Sequence, residues 1–177
     1  QKREIIYREG DYASNAFFIV SGKVKTFKIN EDGKELIYDI FKEGDVIGMW
    51  DVMKGTEYYD SVACMEDTEV KKIHRDELQK YLDKNAISST SVIKLFAEEL
   101  KQREDRLISM AYDSVRMRVA SALVILDEVY RNQKENTVFK IPREDLAAMV
   151  GTSAESVIRT LSDFKKEGLI DIVKNEI

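Results

Sequence analysis

The 177-residue sequence contains one cysteine, one proline and one histidine. Cys64 alone can form neither an intrachain disulfide nor a cysteine cluster for zinc or an iron–sulfur centre. One histidine leaves little for acid–base chemistry, and neither a nucleophile–base arrangement nor a phosphate-binding P-loop is present. No apolar run approaches the roughly 20 residues that cross a bilayer. We therefore expect a cytoplasmic protein that is not an enzyme and has no membrane partner.

The composition is that of a folded chain without a strong bias in charge. Hydrophobic residues make up 44% and charged residues 34%, with a net charge of −5, as is typical of a soluble globular protein. Residues 114–177 contain 10 basic and 10 acidic side chains, so this part of the chain is neutral. A basic face is the usual mark of a nucleic-acid-binding domain, and here only local basic contacts are available.

Residues 141–170 predict two short helices, a tight turn and the first strand of a wing. Pro142 is expected at the first helical position, where its missing N–H needs no partner. Gly151 is expected to end the first helix and Ser153 to cap the second. Each helix has an apolar stripe at helical spacing, formed by Leu146, Ala147 and Val150 and by Val157, Leu161 and Phe164.

Residues 137–141 before this segment and residues 169–173 after it are expected to be strands, with Gly168 ending the second helix. The outline is that of a winged helix-turn-helix, which lays its second helix in the major groove of DNA. A complete wing needs a returning strand, so we expect further chain beyond residue 177.

Four residues at the start of the second helix are expected to face solvent: Ala154, Glu155, Ser156 and Arg159. Arginine can donate two hydrogen bonds to a guanine edge, and glutamate can accept one from a cytosine amine. Alternatively, Glu155 and Arg159 are four residues apart and form only a surface ion pair.

The segment VGTSAESVIRTLSDFKKEGLI resembles the recognition-helix signature of the Crp/Fnr family of bacterial transcription regulators. The resemblance implies that Glu155 and Arg159 read bases, with Ser156 beside them, and that Thr152 and Ser153 contact the phosphate backbone. It also implies a homodimer on a palindromic operator in double-stranded DNA, with RNA polymerase as a partner.

Residues 4–73 predict many short strands without helical periodicity. Five glycines punctuate the region at fairly even spacing, as in a β-barrel or sandwich: Gly10, Gly22, Gly33, Gly44 and Gly48. The sequence NEDG at residues 30–33 predicts a hairpin between two of the strands.

The same region resembles the β-roll of cyclic-nucleotide-binding domains. Members of that family hold the nucleotide phosphate with a glutamate and an Arg–Ser pair. This chain has Met49 at the position of the glutamate, and no arginine lies between Arg8 and Arg75. A phosphate would lack its bidentate partner, so we expect neither cyclic AMP nor cyclic GMP to bind. His74 follows a predicted strand and is not expected to bind haem; no cofactor is expected.

The loop around this site is apolar and aromatic, which fits an unknown uncharged or hydrophobic effector or, equally, side chains that close an empty pocket. The pocket residues expected from the resemblance are Met49, Trp50, Tyr58, Tyr59, Asp60 and, on a later helix, Arg103. Arg103 is a candidate ligand for an anionic effector.

Residues 88–110 predict a helix with alternating spacings of three and four between apolar residues, which is a heptad seam. The seam consists of Ile93, Phe96, Leu100, Leu107 and Met110, with Arg103 as its one polar position. In the family that the chain resembles, the equivalent helix pairs two subunits. The alternative is that the seam packs on the protein's own β-domain.

Together these patterns predict an α+β protein with a jelly-roll-like β-roll, a long dimerisation helix and a winged helix-turn-helix. The expected domains are residues 1–87 for the effector domain, 88–112 for the helix and 113–177 for DNA binding. The expected function is a dimeric, sequence-specific transcription regulator. The alternative is a sensory module that acts through protein partners rather than DNA.

Overall fold

The computed structural model describes residues 1–84, 89–131, 138–174 and 176–177. Two compact units are present, residues 1–99 and residues 100–177. The division falls inside one long helix, α3 (Ser89–Tyr112). The three-part division proposed above remains a prediction, and its boundary at 87/88 lies outside the described residues.

The first unit is built on seven strands in two antiparallel sheets. The strands are β1 (Ile5–Tyr7), β2 (Asn15–Ser21), β3 (Lys23–Ile29), β4 (Glu35–Lys42), β5 (Val46–Ile47), β6 (Ser61–Cys64) and β7 (Glu69–His74). One sheet has the order β1-β6-β3-β4 and the other the order β5-β2-β7. The expected hairpin joins β3 to β4, and Gly33 adopts the left-handed backbone in its turn. The predicted β-roll is confirmed.

Two helices complete the strand-rich part of this unit, and strand patterning did not indicate them. Helix α1 (Met49–Lys54) follows β5 directly, and helix α2 (Arg75–Lys84) follows β7. Helix α1 is six residues long and buries only Val52. So short a helix shows no periodicity in a sequence, because it makes less than two turns, and the prediction of short strands over residues 4–73 did not include it.

In its described residues, the second unit contains the end of α3 and three further helices. They are α4 (Val115–Tyr130), α5 (Arg143–Val150) and α6 (Ala154–Lys166). Their apolar stripes form one core, in which the fully buried side chains include Val119, Leu126, Leu146, Val157 and Leu161. The six stripe residues predicted for α5 and α6 are all buried, and the helix-turn-helix is confirmed.

The expected wing strands are not regular in the described residues. Residues 169–173 form no strand, and Val173 makes an isolated antiparallel bridge to Glu176. Phe139 and Ile177 exchange two backbone hydrogen bonds, of 3.1 and 3.0 Å, and Lys140 makes an isolated antiparallel bridge to Glu176. Residue 137 of the expected strand lies outside the described residues. Among the described helices, none has the length and apolar character needed to cross a membrane.

Candidate nucleic-acid interface and effector site

The turn between α5 and α6 is set by glycine and serine. Gly151 has φ 68°, in the left-handed region that glycine adopts without strain, and its N–H donates to the carbonyl of Ala147. The Ser153 hydroxyl accepts the N–H of Ser156 at 3.2 Å and caps α6. Pro142 differs from its prediction: it is the N-cap residue of α5 rather than the first helical residue.

The leading edge of α6 faces solvent, while Val157, Leu161 and Phe164 hold its other side in the core. Glu155 and Arg159 are both exposed and form no ion pair with each other. Arg159 is therefore available to a partner, as a base-reading arginine must be. Ala154 and Ser156, which were expected to be exposed as well, are half-buried.

Two lysines of α6 form hydrogen bonds or ion pairs with other groups of the protein. Lys165 donates to the carbonyl of Ile172 at 2.8 Å, and Lys166 lies 3.5 Å from an Asp163 oxygen. Burial lowers the pKa of Arg143, whose side chain is only half accessible. Arg159 is thus the basic residue on the exposed leading edge itself.

The N-cap serine supports a test of local stability. Replacing Ser153 with alanine removes the bond to the Ser156 amide, and such a loss costs about 1 kcal/mol. Amide hydrogen exchange in the first turn of α6 is therefore expected to accelerate about fivefold. Ser162→Ala, an exposed site inside the same helix, is the matched control and is expected to leave exchange unchanged. Equal amide exchange rates in the two variants would show that the Ser153 side chain does not stabilise the first turn of α6.

In the first unit, tyrosines and one buried aspartate occupy the predicted effector region. The Tyr58 ring stacks on Tyr7 with centroids 3.8 Å apart, and its hydroxyl donates to the Asn15 carbonyl at 2.5 Å. A side chain at Gly48 would lie 3.0 Å from the Tyr58 ring. Burial raises the pKa of Tyr7 well above its usual range, and the charge of Asp60 raises it further.

Asp60 is buried beneath this stack at 9% exposure. The Tyr38 hydroxyl donates a hydrogen bond to its carboxylate. Tyr59, the residue before it, points outward instead, with the Lys28 ammonium 3.7 Å above its ring. The predicted residues Tyr58 and Asp60 therefore belong to a closed cluster, whereas Tyr59 lies on the surface.

The start of α1 contacts the early part of α3. The Trp50 and Phe96 rings are 4.0 Å apart, while Met49 and Trp50 are both half-buried. Phe96 was predicted for the dimer seam alone, and this contact gives it a second role inside its own unit. In the described residues, no group of three His, Cys, Asp or Glu side chains is placed to hold a metal ion.

The apolar row of α3 is exposed along most of its length. The exposed fractions are 64% for Ile93, 46% for Phe96, 59% for Leu100 and 69% for Leu107. Met110 is half-buried, and its terminal methyl lies 3.5 Å from the space where a Cβ on Gly151 would stand. Arg103 is exposed on the same helix. An apolar row of this exposure is unusual for a helix with no partner.

Comparisons with known proteins agree with both halves of this architecture. Residues 1–85 match the cyclic nucleotide-binding domain, and residues 117–177 match the Crp-like helix-turn-helix domain. The chain belongs to the Crp/Fnr family of transcription regulators. The cyclic AMP receptor protein of Thermus thermophilus is 27% identical over 93% of this chain and 74% of its own length. The anaerobic regulatory protein of Bacillus subtilis is 26% identical over 97% of this chain and 74% of its own length.

The fold of a solved Crp/Fnr structure matches along nearly the whole chain. FixK2 from Bradyrhizobium japonicum superimposes with a TM-score of 0.86, at 24% identity, over 99% of this chain and 87% of that one. These Crp/Fnr relatives are transcription regulators and not enzymes, as the sequence predicts. One relative is named for cyclic AMP and another for anaerobic regulation, so membership of the family does not by itself specify an effector.

Sequence patterns missed several residues of this Crp/Fnr chain that the structure brings into its sites. Tyr7, in β1, and Tyr38, in β4, both interact with Asp60. Each tyrosine precedes Asp60 by more than about twenty positions in the sequence. Arg106 and Arg118 reach backbone carbonyls at the end of α5. No local signal marks such residues, since a lone tyrosine or arginine in a strand or helix is common on surfaces.

Proposed function

We propose that the chain is a dimeric regulator that binds a palindromic operator through α6 of each subunit. The observation that carries the proposal is the exposed pair Glu155 and Arg159 on a helix whose opposite side is buried in a helix-turn-helix. Arg159 donates to a guanine, Glu155 accepts from a cytosine amine, and Thr152 and Ser153 approach the phosphates. Selecting an operator from random DNA and measuring its affinity by gel shift tests the proposal.

Dimerisation through α3 is the second part of the proposal. Four exposed apolar residues at heptad spacing, from Ile93 to Leu107, support pairing with a second copy. Ile93 belongs to the same unit as the sheets and is 64% exposed, which argues against the alternative in which the row packs on the chain's own β-domain. A dimer also doubles the local contacts, which compensates for a DNA-binding part without net positive charge.

The third part of the proposal concerns the effector site, which does not accept a cyclic nucleotide. The position expected to meet the phosphate carries Asp60, a buried carboxylate bonded by Tyr38. A second negative charge placed next to it would be repelled, and the sequence has no arginine between Arg8 and Arg75 to offset this repulsion. If the site has an effector, that effector is uncharged or apolar, in keeping with Trp50 and Met49.

Titration calorimetry of the full chain with cyclic AMP and cyclic GMP is expected to give no saturable heat at concentrations up to about 1 mM, which corresponds to roughly 4 kcal/mol of binding. The physical reason is the missing bidentate cation together with the buried acid. Titration of the same sample with operator DNA is the control for active protein. A micromolar constant for either nucleotide would contradict this part of the proposal.

Action through a protein partner instead of DNA is the second candidate function. It is favoured by one observation, the balance of 10 basic and 10 acidic residues in residues 114–177. The two functions differ in the role of Arg159, because regulation through protein contacts alone has no need of a base-reading side chain. A regulator that works normally in cells with Arg159→Ala, although it no longer shifts operator DNA, supports this second function.

A further inference from the structure

One guanidinium joins the C-terminal ends of two helices in the second unit. Arg118, in α4, donates from Nε to the Val150 carbonyl at 2.9 Å. Its Nη1 donates to the carbonyls of Asp113 at 3.0 Å and Met110 at 3.4 Å. Val150 is the last residue of α5, and Met110 lies in the last turn of α3. Arg118 therefore binds the end of α3, the corner after it and the end of α5.

A second arginine reaches the same end of α5 from α3 itself. Arg106 donates from Nη2 to the Met149 carbonyl at 3.1 Å. The last four carbonyls of a helix have no partner within it, and the two that end α5 are thus bonded by arginines. Guanidinium groups suit this place because a helix C-terminus is partly negative and because bonds from a cation are strong.

The bonded carbonyls stand directly before the recognition helix. Three residues, 151–153, separate Val150 from the start of α6 at Ala154. The left-handed backbone of Gly151 and the cap at Ser153 make this connection stiff as well as short. The position of the Val150 carbonyl therefore constrains where α6 begins, while the buried residues Val157, Leu161 and Phe164 hold the rest of the helix in the core.

We propose that Arg118, assisted by Arg106, is a positioning residue that sets the specificity of DNA binding without touching DNA. It aims the exposed edge of α6, with Glu155 and Arg159, at the bases. The inference rests on the proposed function of that edge. Arg118 is half-buried and donates hydrogen bonds to three backbone carbonyls. It therefore affects specificity through the position of α6 and not through a contact with DNA.

Arginine is needed at this position because its planar fork bonds several carbonyls at once. Lysine keeps the charge but offers a compact ammonium on a flexible stem, which cannot span the carbonyls of Val150 and Asp113 together. Arg118→Lys thus changes geometry and leaves the net charge alone. Arg131→Lys is the matched control, because Arg131 is an exposed arginine at the C-terminal end of α4 that pairs with Asp127.

The test measures the affinity of the full-length protein for its selected operator and for a non-operator duplex of the same length. In Arg118→Lys, affinity for the operator is expected to fall about tenfold, the equivalent of a lost charge-assisted bond. Non-specific affinity depends on charge and is expected to stay within about twofold. The specificity ratio therefore falls about tenfold, whereas Arg131→Lys leaves it unchanged.

A purely structural role for Arg118 would give a different result. A smaller folded fraction weakens both kinds of binding equally and leaves their ratio constant. Arg106→Lys replaces the guanidinium that donates to Met149 and is the second variant. A smaller fall in the ratio is expected, and this variant tests the inference if Arg118→Lys does not fold. A ratio equal to that of the wild type in the folded variants overturns the inference.

Amide hydrogen exchange at Gly151 and Thr152 gives a readout that needs no DNA. In Arg118→Lys these two amides are expected to exchange about tenfold faster, while the buried turns of α6 keep their protection. Unchanged exchange at both amides also overturns the inference. If the wild-type protein itself shows no preference for any duplex, the proposed function fails, and exchange still decides the role of Arg118.

Discussion

Replacing Arg159 with alanine is expected to weaken operator binding about a thousand-fold and to leave the fold intact. A bidentate arginine–guanine contact contributes about 1–3 kcal/mol, and a dimer loses two of them, or about 4 kcal/mol in all. Stability is preserved because Arg159 is exposed and bonds neither Glu155 nor any other described residue. A gel shift with the selected operator and a thermal melt of the same sample measure the two quantities.

The control for charge is Arg131→Ala, which removes an exposed arginine from the same unit. Its ion pair with Asp127 lies at the end of α4, away from the leading edge of α6. Operator affinity is expected to change by less than about threefold, because one distant surface charge contributes little. If Arg159→Ala binds no worse than Arg131→Ala, α6 does not read bases through this residue.

Replacing Leu100 with glutamate is expected to convert the proposed dimer to monomers and thereby to abolish operator binding. Leu100 lies in the middle of the exposed row on α3, at 59% exposure. Burial of one leucine contributes about 1.5–3 kcal/mol, and the dimer contains two copies, so its loss weakens association by about a thousand-fold. Two glutamates facing each other across the seam weaken it further. Sedimentation equilibrium gives the association constant.

Gln102→Glu introduces the same charge on the same helix, two residues from Leu100 and so about 200° around the helix. Gln102 is exposed and outside the heptad row. The Gln102 variant is expected to remain dimeric and to bind the operator. A Leu100→Glu protein that sediments as a dimer would place the subunit interface elsewhere.

The zero net charge of residues 114–177 predicts weak non-specific affinity for DNA. Non-specific affinity comes mostly from phosphate contacts by lysine and arginine. Around α6, Lys165 bonds a carbonyl and Lys166 lies near Asp163, so few cations are left for phosphates. Under the proposed function, specific affinity comes from a small number of base contacts and from pairing of the subunits, which is why the two variants above have large expected effects.

Local patterns in the sequence were sufficient for the helix-turn-helix and for the strand framework. Gly151, Ser153 and the apolar stripe of α6 act through residues within about four positions, and periodicity and capping are interactions of that range. The same holds for the hairpin at Gly33. Exposure of Arg159 followed from the stripe, because a helix with one buried side presents the other to solvent.

Predictions from local patterns differ from the structure at several places in the chain, for different physical reasons. Residues 169–173 have the apolar composition of a strand, yet their one described bridge joins Val173 to nearby Glu176, while Phe139 pairs with Ile177. Pro142 lies one residue before the start of α5 and is its N-cap. Helix α1 was missed because six residues carry no period.

The amino-acid sequence by itself indicated the family, and it determined the turn and cap of the helix-turn-helix and the side of α6 that meets solvent. Turns, caps and helical periodicity depend on neighbours along the chain. Only the tertiary structure decided how Tyr7 stacks on Tyr58 and how Asp60 comes to be buried. It also decided which carbonyls Arg118 bonds. These contacts join residues that are far apart in sequence, and their energies depend on burial and on the direction of hydrogen bonds, which exist only once the chain has folded.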